Sequence, residues 1–573
     1  MRNTSPTVRA SPVKVSIVVP THNTGTTVLT GLRSFLGQTM PRTDFEVLYV
    51  DDGSTDDTVA LLEAEVAAQE AESVVRVIRI ANSGWPGKPR NIGMDAARGE
   101  FVHFVDDDDW LAPEALERLW ARAHETGADI VVGRMAGHGR RAPRALFEKP
   151  LAAADLRTGR ELLASMTVHK LFRSSFLREN ELRFAEGQVR LEDHMFTLRA
   201  YLLTSRVATV HDYTCYHWVR HPGEDHNISY GTIEPGPYVD SIRRVLAILD
   251  APDTRVAPGR HRYRLAANWY GKKALARLSG QGFLDQPGPR RAEWLDAVGA
   301  LAAEMPPEAD AALTTRLRIV AALARHRELQ PLVEHAQFEA GVDHRPRVRS
   351  AARKDGRLTV RCETRLVRRK GKGTSTAPLV FSRAGRRRLL RLPPRVAAVP
   401  GAREAADFTK AVQRSNVRGL LRHREGGTVL SVPLDHRVVE VPARDGGAAA
   451  ETVARVARAA RRMRLPARLT SRLPGTARTQ ETRTKEEGTQ EEADSYSLSF
   501  ETEFTVDPST ADNGKPLAPG TWDLQLQLGC GGWRFARPLR GYSIEVPADE
   551  PPRRRARREG PAGRRPALAA GRG

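Results

Sequence analysis

Between residues 15 and 132, apolar runs of strand length alternate with stretches whose apolar positions recur every three to four residues. Val15 to Val19, Phe45 to Val50, Val74 to Ile80, Phe101 to Val105 and Ile130 to Val132 are the strand-like runs. Their nearly continuous apolar character predicts strands buried on both faces. Val28, Leu29, Leu32, Phe35 and Leu36 fall at helical spacing, and further helices are expected over 88–97 and 114–125. The turn-forming string from Asp52 to Asp57 predicts a helix start with Asp56 and Asp57 in its first turn, where carboxylates suit the helix dipole. Repeated strand–helix–strand order predicts an α/β fold with a mostly parallel sheet covered on both faces. Ligands of such sheets bind beyond the carboxyl ends of the strands. Three polar strings fall there: Thr21-His22-Asn23, Asp51-Asp52 and Asp106 to Asp109.

The pattern changes twice further on. From 236 to 345 it is rich in Ala, Leu and Arg with Pro breaks, which predicts a helical linker region. From 346 to 548 short alternating runs such as RLTVRCETRLV and TWDLQLQLG predict one or two antiparallel β modules of sandwich type. A Thr/Gln/Glu-rich stretch over 474–493 reads as a mobile loop within them. Residues 1–12 and 549–573 are expected to be disordered. The last 23 residues carry eight arginines against one glutamate, suiting either a solvated tail or electrostatic docking to an anionic surface. The expected organisation is therefore an α/β domain over 13–235, the linker, the β-rich region and a basic tail.

The 573 residues exceed one core, and 90 Lys and Arg against 69 Asp and Glu leave a net charge of +21. Such a charge attracts nucleic acid, an anionic membrane face, an anionic polymer or a nucleotide-linked substrate alike. No RNA-binding aromatic string or helix-turn-helix signature accompanies it, and aromatic residues make up 6%, so specific nucleic-acid binding is not expected. Three cysteines without metal-ligand spacing support neither a disulfide framework nor a zinc ribbon, which favours a reducing compartment. There is no signal-peptide core and no run of about 18 apolar residues. A cytoplasmic protein, peripheral at the inner membrane face, is the expectation.

Four consecutive acids, Asp106 to Asp109, follow a strand directly. Their mutual repulsion calls for protons, helix ends or a cation, and hard carboxylate oxygens suit Mg²⁺ or Mn²⁺, ions that bridge carboxylates to a substrate diphosphate. An acidic helix cap is the simpler alternative.

In order, SIVVPTHN, VLYVDDGSTDDT, IANSGWPGKPRNIGMDAARGE and FVHFVDDDDWL resemble the nucleotide-binding half of inverting family 2 glycosyltransferases, whose Rossmann-like fold is called GT-A. HKLFRSSFLRENELRF and VRLEDHMF extend the resemblance through roughly the first 230 residues. It implies a nucleoside slot from Pro20, Thr21, Asp52 and Asn82, although the DDGS string also suits a plain turn. It implies diphosphate contacts from Lys88 and Arg90, and donor contacts from Asp106 and Asp107. Asp108 would be the metal ligand, for Mn²⁺ or Mg²⁺. Because all four positions are Asp, the register between Asp106/Asp108 and Asp107/Asp109 stays open. Glu192-Asp193 matches the family's E-D motif, with Asp193 as the base that deprotonates the acceptor. Arg220 and His226 fall in a segment that folds over the donor diphosphate in the family.

NSGWPGKPRNIG and VRLEDHMF most resemble the cytoplasmic wall teichoic acid glycosyltransferases, which share the order of GT-A domain, helical linker and β modules. That implies a UDP-sugar donor carrying a hexose or N-acetylhexosamine, an anionic polyol-phosphate acceptor and self-association through the C-terminal region. Transfer to capsular or another polysaccharide, and a non-catalytic polymer-binding assembly factor, are the alternatives.

Overall fold

A computed structural model describes residues 13–140, 142–157, 159–220, 232–369, 375–432, 434–442, 495–512 and 514–547. The 474–493 stretch, both termini and His226 lie outside the described residues. The chain divides into two compact units: Met1–Gly341 with Arg391–Asp407, and Val342–Leu390 with Phe408–Gly573.

The first unit opens with β1 (Val15–Thr21), α1 (Val28–Leu36), β2 (Phe45–Asp51), α2 (Thr58–Ala68), β3 (Val75–Arg79), α3 (Gly87–Ala96) and β4 (Phe101–Phe104). β1, β2 and β4 are buried along their whole length, as their continuous apolar runs require. The α3 helix lies so close on β1 that a Cβ at Gly93 would come within 2.3 Å of Val18 Cγ1. Then follow β5 (Trp110–Leu111), α4 (Ala115–Thr126), β6 (Ile130–His138), β7 (Leu171–Arg173), α5 (Ser174–Glu179), α6 (Glu192–Leu203) and β8 (Val207–Val219).

The eight strands form one sheet in the order β3-β2-β1-β4-β7-β6-β8-β5. The first four are parallel, but β7 runs antiparallel to both β4 and β6, and β5 antiparallel to β8. Six of the eight strands therefore run in one direction, as expected, and β7 and β5 are the two reversed ones. The three-residue β7 was too short for hydrophobic periodicity to reveal, yet it closes the sheet beside β4. Asp56 and Asp57 also depart from expectation. The α2 helix begins at Thr58, and Asp56 accepts from the Thr58 amide at 3.0 Å just ahead of the first turn.

Helices α7 (Pro235–Ala247), α8 (Arg260–Ala266), α9 (Gly280–Leu284), α10 (Gly288–Glu304), α11 (Thr315–His326) and α12 (Leu329–Ala340) follow, in agreement with the Ala/Leu periodicity. Pro394–Ala398 and Ala402–Ala405 add two short helices to the same unit. The second unit holds a seven-stranded sheet, mainly from Val342–Lys354, Arg357–Arg369 and Tyr496–Val506, and a four-stranded sheet that includes Gly520–Cys530 and Trp533–Val546. Among the described residues its named strands pair antiparallel.

Candidate functional site

The carboxyl ends of β1, β2 and β4 meet in one polar cleft edge. Pro20 and Thr21 are buried where β1 ends, and the Asp52 amide donates to the Thr21 carbonyl at 2.8 Å. Gly53 follows with φ +71, and a Cβ there would meet the Asn82 amide nitrogen at 2.8 Å. Glycine thus lets the β2 turn and the Asn82 loop touch. Asn82 is exposed, its amide group within 3.4 Å of the His22 ring. Pro20, Thr21, Asp52 and Asn82 are therefore brought together. Asp52 is more engaged than its turn sequence suggests, because Ser83 donates to it through its amide (2.8 Å) and its hydroxyl (2.9 Å).

The four acids take four different environments. Asp106 accepts from Arg90 Nη2 and pairs with His169 Nε2, both at 2.9 Å, and these two partners hold it well below the usual carboxylate range despite burial. Asp107 turns toward β1, accepting from the Thr24 hydroxyl and from the His22 amide at 3.3 Å. Asp109 is buried and faces inward, where it accepts from Tyr216 Oη at 2.6 Å and the Val219 amide at 2.7 Å. Burial and like-charged neighbours push Asp107 up to about 7 and Asp109 up to about 9. Asp108 is half-buried between them. Asp106, Asp107 and Asp109 are thus all bound into the protein by named partners.

This much negative charge in one turn fits a divalent cation, which would relieve the repulsion that raises Asp107 and Asp109. Among the described residues, ligand atoms of Asp106, Asp109 and His169 lie within 4.8 Å of one another. His169 was not singled out by the motifs. Its ring stacks on Tyr216 at 4.5 Å, and Tyr216 in turn accepts from the Asp106 amide. Tyr216 and Trp218 open the segment read from sequence as a mobile loop over the donor, but they lie within β8, whose last residue is Val219.

Across the cleft, Leu191 adopts φ 64 and starts α6, placing Glu192 and Asp193 in its first turn. Glu192 is buried and accepts from Arg90 Nη1 at 3.0 Å. Burial and the adjacent Asp193 carboxylate push it up to about 7. Arg90 itself is buried, so its guanidinium spans Glu192 and Asp106 instead of standing open at the start of α3. Sequence puts Arg90 near a helix start but cannot show that its long side chain turns into this bridge, from which the expected phosphate contact would be made. Lys88 is half-buried in the first turn of α3. Asp193 is half-buried, and its Oδ1 accepts from the His194 amide at 2.8 Å. Arg220 is exposed directly after β8, with its amide donating to the His138 carbonyl.

Residues 16–150 match the Glycosyl transferase family 2 domain, and residues 235–336 match the Glycosyl transferase TarS linker domain. The poly(ribitol-phosphate) beta-glucosyltransferase of Bacillus spizizenii is 29% identical over 332 residues, 58% of this chain and 51% of its own. The poly(ribitol-phosphate) beta-N-acetylglucosaminyltransferase TarS of Staphylococcus aureus is 29% identical over 324 residues, 55% of this chain and 54% of its own. The chain spans about half the length of these curated relatives. A crystal structure of S. aureus TarS 1-349 in complex with UDP-GlcNAc matches with a TM-score of 0.51 at 26% identity, covering 64% of this chain and 99% of that one. Residues 16–150 thus match a family 2 glycosyltransferase domain and residues 235–336 a TarS-type linker domain, in a chain whose sheet and helical segment align with the TarS 1-349 structure.

Proposed function

We propose that the protein transfers a hexose or N-acetylhexosamine from a UDP-sugar to a hydroxyl of an anionic surface polymer of the poly(ribitol-phosphate) kind, with inversion at the anomeric carbon. One observation carries this. Arg90 joins the acidic turn after β4 to the first turn of α6, holding the donor side and the candidate base in one rigid unit.

In this scheme Pro20, Thr21, Asp52 and Asn82 seat the nucleoside, and Asp106 and Asp107 border the donor. Asp193 takes the acceptor proton as the hydroxyl attacks, and Glu192 and Arg90 fix the helix turn that presents it. Asp108, with Asp106 nearby, would hold Mn²⁺ or Mg²⁺. Such an ion supplies charge neutralisation for the departing UDP. Lys88 and Arg220 add positive charge on that side, and His226, outside the described residues, has the same role by the family resemblance. The names of the relatives and the UDP-GlcNAc complex support the donor and acceptor classes. The net charge of +21 favours an anionic polymer over a neutral polysaccharide. Self-association through the β-rich unit, and a place at the inner membrane face, belong to the same proposal.

The test is UDP release from UDP-glucose, UDP-N-acetylglucosamine and UDP-galactose, with poly(ribitol phosphate) or a neutral polysaccharide as acceptor and Mn²⁺ or Mg²⁺ present. Turnover with one donor on the anionic polymer, lost in Asp193→Asn, is expected. Equal turnover in Asp193→Asn would remove the assigned base, and no turnover with any donor would favour a polymer-binding role.

A further inference from the structure

Away from the acidic turn, the unit that carries the α/β sheet holds a hollow of about 390 Å³ whose lining includes Thr232, Ile233, Arg277, Phe283, Gln286 and Trp294. Phe283 and Trp294 are buried and make its wall apolar. The Arg277 guanidinium carbon lies 5.1 Å from the centre of the Tyr238 ring and 5.5 Å from that of Trp294. Two rings thus order this planar cation before any ligand arrives, while its N–H donors stay available for bidentate recognition of an anion.

The other polar groups of the hollow are engaged. Arg290 donates to Glu234 at 2.9 Å, to Glu293 at 2.7 Å and to the Ile233 carbonyl at 2.8 Å. Ser279 donates to the Ala276 carbonyl at 3.0 Å and accepts from Arg316 at 2.5 Å. Asp285, the acid next to Gln286, accepts from Gln281 at 2.7 Å. Arg277 is exposed and makes no ion pair among the described residues.

Two connections tie the hollow to the turn that carries Asp193. Arg190, three residues ahead of Asp193, places its Nη2 at 3.5 Å from the Thr232 carbonyl on the rim. The helical segment at 270–278, which carries Arg277, follows Trp269, whose indole meets His194. Eight helical residues from Trp269 to Arg277 span about 12 Å. A polymer that presents one hydroxyl to Asp193 has its next repeats to lay along that distance.

We infer that the hollow is a distal acceptor subsite, in which Arg277 takes a phosphodiester of a polyol-phosphate chain while Thr232 and Gln286 offer hydroxyl and amide groups to the polyol. The inference rests on the reading of an anionic polyol-phosphate acceptor with Asp193 as its base. A phosphodiester suits the site because a stacked guanidinium pairs two N–H groups with two phosphate oxygens.

The experiment measures acceptor KM, donor KM and kcat for the full chain with poly(ribitol phosphate) and the UDP-sugar that wild type turns over, together with calorimetric binding of the same polymer. Wild type is compared with Arg277→Met, which keeps an aliphatic stem over the rings, with Arg277→Lys, and with Arg244→Met, which removes the same charge from an exposed position of α7 outside the hollow. Thermal melts check that each variant is folded. Arg277→Met should raise acceptor KM and polymer Kd about tenfold with donor KM unchanged. Arg277→Lys should fall between the two, since a lysine lacks the planar fork. Arg244→Met should stay close to wild type. An unchanged acceptor KM in folded Arg277→Met, an equal rise in Arg244→Met, or a rise in donor KM alone overturns the inference. If wild type neither binds nor glycosylates the polymer, the acceptor reading fails and the subsite with it. If wild type uses the polymer and Arg277→Met matches it, only the subsite fails.

Discussion

The indole N–H of Trp269 donates to His194 Nδ1 at 3.1 Å. Trp269 is fully buried and precedes the helical segment at 270–278, whereas His194 follows the candidate base directly. Donation to Nδ1 leaves the proton of a neutral imidazole on Nε2, and burial lowers the His194 pKa so that the ring stays neutral. The His194 amide in turn donates to Asp193. A residue of the segment that matches the linker domain thereby contacts the helix turn that carries Asp193.

Trp269→Phe keeps most of the apolar packing but removes that donor. It should lower kcat by about ten- to a hundredfold through displacement of the α6 start. The stability loss should be only about 1 kcal/mol. Steady-state kinetics and a thermal melt on the same sample check both.

Arg90 bridges the buried Glu192 and the half-buried Asp106, so removing it leaves both carboxylates without that guanidinium. Arg90→Met should cost about 3–5 kcal/mol in urea unfolding and abolish turnover. Adding Glu192→Gln should recover part of the stability, because one uncompensated charge is then gone. If the double variant is no more stable than the single one, the bridge does not account for the loss.

Asp108 and Asp109 should separate cleanly despite being adjacent. Asp109→Ala strips the acceptor from Tyr216 Oη and the Val219 amide, at about 1–3 kcal/mol for each, so it should lower Tm. Asp108→Asn reduces repulsion within the acidic turn and should not lower Tm, yet UDP release should fall by about a hundredfold or more. Chelation of divalent cations should mimic Asp108→Asn in wild type and be reversed by added Mn²⁺ or Mg²⁺.

His344 gives the β-rich unit an acid-sensitive point. It is 1% exposed, its Nδ1 is 2.9 Å from Thr364 Oγ1, and burial lowers it from 6.5 to about 4. A histidine depressed in the folded state binds its proton more readily when unfolded. Its contribution is therefore present above about pH 6.5 and lost as pH falls toward 4, by at most about 3 kcal/mol. Urea midpoints measured from pH 7 down to 4.5 should fall less steeply in His344→Gln than in wild type.

The motifs carried most of the residues that the structure gathers at the sheet edge. Strand ends and turn chemistry are local properties, so Pro20, Thr21, Asp52, Asn82 and the acidic string could be placed at the carboxyl edge of a sheet from sequence alone. The paired Glu192 and Asp193 at the start of α6 were legible for the same reason. The buried Lys170 and His169 were not, although both lie in a segment noted for its resemblance. Nothing local distinguishes a buried lysine from a solvated one, since its burial is made by α6, which lies later in the chain.

The chain by itself determined where apolar runs must be buried, which turns need Gly or Asp, and which acids gather after β4, because each depends on neighbours a few residues away. Only the tertiary structure decided that Arg90 turns inward, that β7 inserts antiparallel beside β4, and that Trp269 reaches His194. Those outcomes are set by contacts between residues some 70 to 100 positions apart. Long side chains and short strands find such partners only once the sheet and helices have closed around them.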